Sequence, residues 1–198
     1  MAEHKPDRAR RTVLVAATTV AGGMAAAATA FYPFVNSMLP SERAKAAGAP
    51  IEADISKLAP GERMTVEWRG KPVWIVRRTP EMLDVLKKNA DRVADPESSK
   101  VQQPKYATNT LRSIKPEYLV LVGICTHLGC SPVEKFVVQS EPFSSDWKGG
   151  FYCPCHGSLF DLAGRVYKNK PAPSNLMVPP HRFLSENKIL IGEDEKGA

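Results

Sequence analysis

Two short boxes constrain this chain more than any other part of it. One is Cys125-Thr126-His127-Leu128-Gly129-Cys130 and the other is Cys153-Pro154-Cys155-His156-Gly157-Ser158. All four cysteines of the sequence and two of its four histidines fall inside them. Each box offers a cysteine and a histidine at short spacing, and each holds one further cysteine. The sum is four metal ligands, enough for a tetrahedral zinc ion or an iron–sulfur cluster, and two thiols left over. A disulfide between the boxes is the economical use of the leftover pair. A structural zinc site is the alternative reading, and it gives the extra cysteine of each box no role.

C-T-H-L-G-C followed by C-P-C-H-G-S resembles the Rieske signature in its high-potential respiratory form. The resemblance implies a 2Fe–2S cluster with Cys125 and Cys153 on one iron and His127 and His156 on the other. It also implies a Cys130–Cys155 disulfide, and a hydrogen bond from Ser158 to a bridging sulfide. Two ferric ions, two sulfides and two thiolates sum to zero charge, against −2 for a four-cysteine cluster, so histidine ligation raises the potential. Hydrogen bonds to sulfur raise it further. Many respiratory members carry a tyrosine two residues past the serine, bonded to a ligand sulfur. Here that position is Phe160, so a lower midpoint potential is expected. Pro171-Ala172-Pro173 resembles the proline-rich loop that covers the cluster in the family, with Lys170 where glycine is usual.

The N-terminus describes a route out of the cytoplasm. Arg8, Arg10 and Arg11 precede an uncharged run from Thr12 to Ser41. Its apolar part, Val13 to Phe34, is long enough at roughly 33 Å to cross a hydrocarbon core of about 30 Å. Arg10-Arg11-Thr12-Val13-Leu14 resembles a twin-arginine export signal. Ala26-Ala27-Ala28 offers a cleavage-like site, so a removed signal peptide is the competing reading; family members generally keep the segment as an anchor. Basic residues before the span place the N-terminus in the cytoplasm. Residues 1–12 are thus a cytoplasmic leader, 13–35 a single transmembrane helix, 36–50 a flexible tether or hinge, and 51–198 an extracytoplasmic Rieske domain. The location is a bacterial inner membrane with the head in the periplasm. Four cysteines with one disulfide suit that oxidising compartment.

The head reads as mostly β: a Rieske-type β-sandwich carrying a small cluster-binding subdomain at about 123–175. Ile51–Ile55 alternates as a strand. Met64–Trp68 and Val73–Val76 form a hairpin around Arg69-Gly70-Lys71-Pro72. Thr79-Pro80-Glu81 starts a helix with Met82, Leu83, Val85 and Leu86 on its apolar face, ending near Asn89. Residues 90–117 read as a long loop. Tyr118–Ile124 is a buried strand that delivers Cys125. Glu134–Val138, a turn and strand over Asp161–Val166, and strands at Leu176–Val178, Arg182–Leu184 and Lys188–Ile191 complete the domain. Trp68, Trp74 and Trp147 read as packing residues, His181 as structural or surface, and His4 as a solvated leader residue.

The net charge is +6, but no basic stripe interleaves with aromatics, so nucleic acid is not a partner. The resemblance implies the Rieske subunit of a bacterial ubiquinol–cytochrome c reductase, the cytochrome bc complex. Its partners are then cytochrome b, a c-type cytochrome, ubiquinol, the lipid membrane and a dimeric complex. The catalytic roles fall to His156, as the quinol contact, and to His127, with Leu128 as an apolar tip toward the quinol-binding subunit. Alone, the subunit carries electrons without completing the reaction. An exported molybdenum-oxidase small subunit and a zinc-stabilised binding module are the two rivals.

Overall fold

The computed structural model describes residues 7–195, so His4 lies outside them. The chain falls into two compact units, residues 1–46 and 47–198.

The first unit is dominated by α1 (Arg8–Ser37). The Asp7 carboxylate caps it, accepting the backbone N–H groups of Ala9 at 3.0 Å and Arg10 at 3.3 Å. The helix therefore starts within the arginine leader, ahead of Val13. Its 30 residues extend about 45 Å, more than a hydrocarbon core of about 30 Å requires. None of its residues is buried. Thr12, Thr18, Thr19 and Thr29 donate their hydroxyls to carbonyls one turn back. That satisfies each of these hydroxyls within the helix, as an apolar surrounding demands. A short α2 (Glu42–Ala47) follows, in the stretch read as tether.

The second unit contains β1 (Ile51–Asp54), β2 (Arg63–Trp68), β3 (Lys71–Arg77), α3 (Pro80–Lys88), β4 (Tyr118–Val122), β5 (Val133–Lys135), β6 (Gly150–Cys153), β7 (Ser158–Phe160), β8 (His181–Ser185) and β9 (Lys188–Ile191). They form three antiparallel sheets of three strands, ordered β1-β9-β8, β2-β3-β4 and β5-β6-β7. The middle sheet explains the apolar run at Tyr118. Side chains alternate across a strand. Val73, Ile75, Val120 and Val122 face a core shared with Ala53, Ile189 and Ile191. Trp74, Val76, Leu119 and Leu121 face the opposite way, onto Phe151, Phe160 and the two free cysteines. A sheet covered on both faces loses its polar alternation. The Thr79 hydroxyl accepts the N–H of Met82 at the start of α3, and Met82 and Leu86 pack on Leu162 and Ala163.

Three expected strands differ. The Glu134–Val138 strand shifts to Val133–Lys135; the Lys135 carbonyl is taken by the Trp147 indole N–H at 2.8 Å, and Val137 and Val138 are exposed. Asp161–Val166 gives only the turn, because the Asp161 carboxylate accepts the N–H groups of Ala163 and Arg165, both at 2.9 Å. Val166 makes one bridge to Phe160. Leu176–Val178 joins no sheet, since its backbone groups bond three separate segments: Leu176 N–H to the Gly164 carbonyl, the Met177 carbonyl to Val122, and Val178 N–H to the Gln102 carbonyl.

Candidate metal centre

The first box is the loop that leaves β4. Its backbone closes on itself: Cys125 N–H donates to the Cys130 carbonyl at 2.7 Å, and Gly129 N–H donates to the Cys125 carbonyl at 3.1 Å. The second box is the tip of the β6–β7 hairpin, whose last register pair is Cys153 with Ser158. Gly157 N–H donates to the Cys153 carbonyl at 3.0 Å. Gly129 and Gly157 take φ values of +86° and +72°. A Cβ would meet nothing at either position. Glycine is needed for the left-handed turn and not for space.

These two loops bring six expected residues together. Cys130 and Cys155 form a disulfide that ties one loop to the other. Cys125 and Cys153 are free and buried, each 2% exposed. The rings of His127 and His156 stand edge to face with centroids 4.7 Å apart. His156 is exposed and His127 half-buried, while Leu128 beside them is 71% exposed. The sulfurs of Cys130, Cys153 and Cys155 lie within 4.8 Å of one another. Two of those sulfurs are spent in the disulfide, so that trio is not a donor set; its meaning is that the disulfide abuts Cys153.

Burial pushes the Cys125 thiol up, and the neighbouring Cys153 adds to the shift, while His127 N–H and the Ser158 hydroxyl pull the other way. Without metal this thiol therefore stays protonated, and metal binding displaces its proton. Two buried thiols and two facing imidazoles, with the remaining cysteines oxidised, suit the mixed sulfur and nitrogen donor set of a histidine-ligated 2Fe–2S cluster.

Several contacts of the site carry no sequence signal. The Thr126 hydroxyl donates to the Ser174 carbonyl at 2.6 Å, fastening the first box to the proline-rich segment. Lys100 Nζ donates to the Pro173 carbonyl at 2.6 Å. Both join residues far apart in sequence through backbone carbonyls, which no residue pattern announces.

The chain is similar to known proteins along its sequence. Residues 50–180 match the model of the Rieske [2Fe-2S] domain. Residues 1–41 match that of the ubiquinol–cytochrome c reductase Fe–S subunit twin-arginine signal. The ubiquinol–cytochrome c reductase iron–sulfur subunit of Allochromatium vinosum is 59% identical over 192 residues, covering 97% of this chain and 92% of that protein. The subunit of the same name from Bradyrhizobium diazoefficiens is 41% identical over 184 residues, covering 92% and 94%. Among solved structures, a hyperthermophilic respiratory Complex III chain is 30% identical with a TM-score of 0.47, covering 90% of this chain and 98% of that one. With two family models and the two curated iron–sulfur subunits matching nearly its whole length, the chain belongs to the Rieske iron–sulfur subunits of the cytochrome bc complex and carries one 2Fe–2S cluster of Rieske type.

Proposed function

We propose that this subunit takes one electron and one proton from ubiquinol and passes the electron to a c-type cytochrome. In this reading Cys125, His127, Cys153 and His156 hold the cluster, which supplies a reversible one-electron site. The observation that carries the proposal is the facing pair of imidazoles at the surface, over two buried thiols and beside an exposed leucine. His156 is the more exposed of the two rings, so its free ring nitrogen accepts the hydrogen bond of the quinol hydroxyl and then its proton. His127 forms the second half of that surface. Leu128 seats the tip against the apolar wall of cytochrome b and excludes water there. The Cys130–Cys155 disulfide keeps the two loops at fixed separation, and Ser158 would donate its hydroxyl to a bridging sulfide.

The apolar length of α1 and the arginines in its first turn support a single-pass anchor in the bacterial inner membrane, N-terminus inside and head in the periplasm. Residues 36–50 then act as the tether along which the head moves between cytochrome b and the c-type cytochrome of a dimeric complex.

The test is a redox titration of membranes, read by electron paramagnetic resonance. The midpoint should fall as pH rises into the alkaline range, by up to about 59 mV per unit for one proton per electron. Replacing His156 should abolish both the signal and quinol oxidation. A midpoint flat from neutral to strongly alkaline pH would refute the coupled proton.

A further inference from the structure

Below the cluster-binding loops the interior holds three guanidinium groups and a single carboxylate. Arg78, Arg112 and Arg165 are all buried, and Asp161 is the one buried acid among the described residues. Arg165 Nε donates to Asp161 Oδ2 at 2.8 Å, and Arg165 Nη2 reaches the Leu86 carbonyl at 3.1 Å. That pair is internally neutral. Among the described residues the other two arginines form no salt bridge with an acid and bond backbone carbonyls and neutral side chains instead. Arg78 donates to the Leu162 carbonyl at 3.3 Å and to the Ser113 hydroxyl at 2.7 Å. Arg112 donates to the carbonyls of Ala163 at 3.1 Å, Gly164 at 3.3 Å and Leu176 at 2.6 Å. Three cations and one anion leave the interior at +2.

Burial pulls Arg78 down to about 9, with Asp161 opposing the shift. It pulls Arg112 down to about 10, with Asp161 and Asp95 opposing. Both remain charged at neutral pH. A buried cation without an acid is expensive, and apolar residues fill such space at lower cost. Carbonyl dipoles offset part of that cost here. The placement suggests what offsets more. Among the carbonyls gripped by Arg78 and Arg112, those of Leu162, Ala163 and Gly164 are consecutive and come directly after Phe160 and Asp161; the others belong to Leu111, Pro116 and Leu176. Phe160 packs in the same core group as Cys125, Cys153 and Leu121. A Cβ on Gly164 would lie 3.2 Å from Arg112 Nη1 and 2.8 Å from a Leu121 methyl. Leu121 thus links the two groups: it packs in the core group of the free cysteines and against Gly164, whose carbonyl Arg112 grips, in an interior where charges act at low dielectric and salt does not screen them.

We propose that the buried Arg78–Arg112–Arg165–Asp161 group sets the redox potential of the centre, its excess positive charge favouring the state that holds the added electron. The proposal rests on the cluster being held by the two boxes. Whatever stabilises the reduced form more than the oxidised form raises the midpoint. The sign of each substitution then follows from its charge alone.

The experiment is a redox titration of the full complex in membranes, read by the cluster's electron paramagnetic resonance signal, across a charge series. Arg112→Gln and Arg78→Gln should shift the midpoint down, Asp161→Asn should shift it up, and Arg112→Lys should leave it near the wild-type value. A purely structural role would move the potentials of all four without regard to sign. Buried deletions can prevent assembly, so Gln103→Glu provides a milder member of the series. Gln103 Oε1 accepts from Arg112 Nη2 at 3.1 Å and the side chain is only half-buried, so an acid there removes one unit of the layer's excess positive charge without removing an arginine. Its midpoint should also fall. An intact signal with an unchanged or raised midpoint in Gln103→Glu overturns the proposal, as does an upward shift in either arginine deletion. Absence of any reducible iron–sulfur signal in the wild-type membranes would instead sink the cluster assignment on which the proposal stands.

Discussion

The hydroxyl oxygen of Ser158 accepts the backbone N–H of Ala172 at 3.0 Å. The first residue closes the second ligand box and the second lies in the proline-rich segment, and both are buried. With its oxygen occupied as an acceptor, the hydroxyl has its proton left to donate, and it pulls the Cys125 thiol down against the burial that raises it. Ser158→Ala should therefore keep the cluster and lower its midpoint. A hydrogen bond to a charged group contributes about 1.5–3 kcal/mol, equivalent to about 60–130 mV for one electron. Film voltammetry on the purified subunit reads the shift directly, and a midpoint equal to wild type would exclude Ser158 from the tuning.

Phe160 is the complementary case. It is fully buried against Phe151 and the two free cysteines, and its ring carries no donor. Phe160→Tyr should raise the midpoint by an amount of the same order as the serine effect. The added hydroxyl enters a packed core, so a stability loss of about 1–3 kcal/mol should accompany the rise. A stable Phe160→Tyr protein whose potential does not increase would remove this explanation of the tuning.

The strand that feeds the first box was legible as an apolar run, whereas β6 and β7, which carry the second box, are too short to announce themselves as strands. Val73–Val76 and Tyr118–Val122 read as apolar runs, since the middle sheet is covered on both faces. Thr79-Pro80 announced α3, and the turn at Arg69-Gly70 joins β2 to β3 as expected. The two boxes gave the site because their chemistry is local to six-residue segments. What escaped was long-range and polar. Residues 90–117 read as a loop, and their order comes from Arg112, Asn109 and Asp95, each bonding backbone groups at a distance or across a turn. An arginine in a polar stretch carries the same letter whether it is buried or solvated. Leu176–Val178 has the composition of a strand, yet its backbone is shared among three separate segments, and no pattern in its own residues records that.

The Cys130–Cys155 bridge spans 25 positions. Closing a loop of that size restricts the unfolded chain by about 3–4 kcal/mol in the chain-entropy model. Its sulfurs also lie within 4.8 Å of Cys153. Replacing both cysteines by alanine should lower the denaturation midpoint of the head. It should also speed loss of the visible iron–sulfur spectrum on dilution into chelator. If the double variant held its cluster as long as wild type, the bridge would be a stabiliser of the fold alone.

His181 gives the protein a defined acid sensitivity. The ring is buried, with Nδ1 at 2.9 Å from the Pro179 carbonyl. The Tyr106 hydroxyl accepts the His181 N–H at 2.7 Å and donates to its carbonyl at 2.9 Å. Burial pushes the imidazole below its ordinary value, with the bond to Pro179 opposing. An unfolded histidine titrates near about 6.5. Below that pH the unfolded chain takes up a proton that the folded chain refuses, so the unfolded state binds more protons and stability rises with pH. The contribution is complete above about pH 6.5 and is lost as the pH falls toward the depressed folded value, at up to about 1.4 kcal/mol per unit. Urea denaturation at several pH values between about 7.5 and 5 should show this slope in the wild type. His181→Gln, which cannot titrate, should be less stable near neutrality and should have a flatter slope in the acid window. Parallel curves for the two proteins would mean that the acid loss originates elsewhere in the chain.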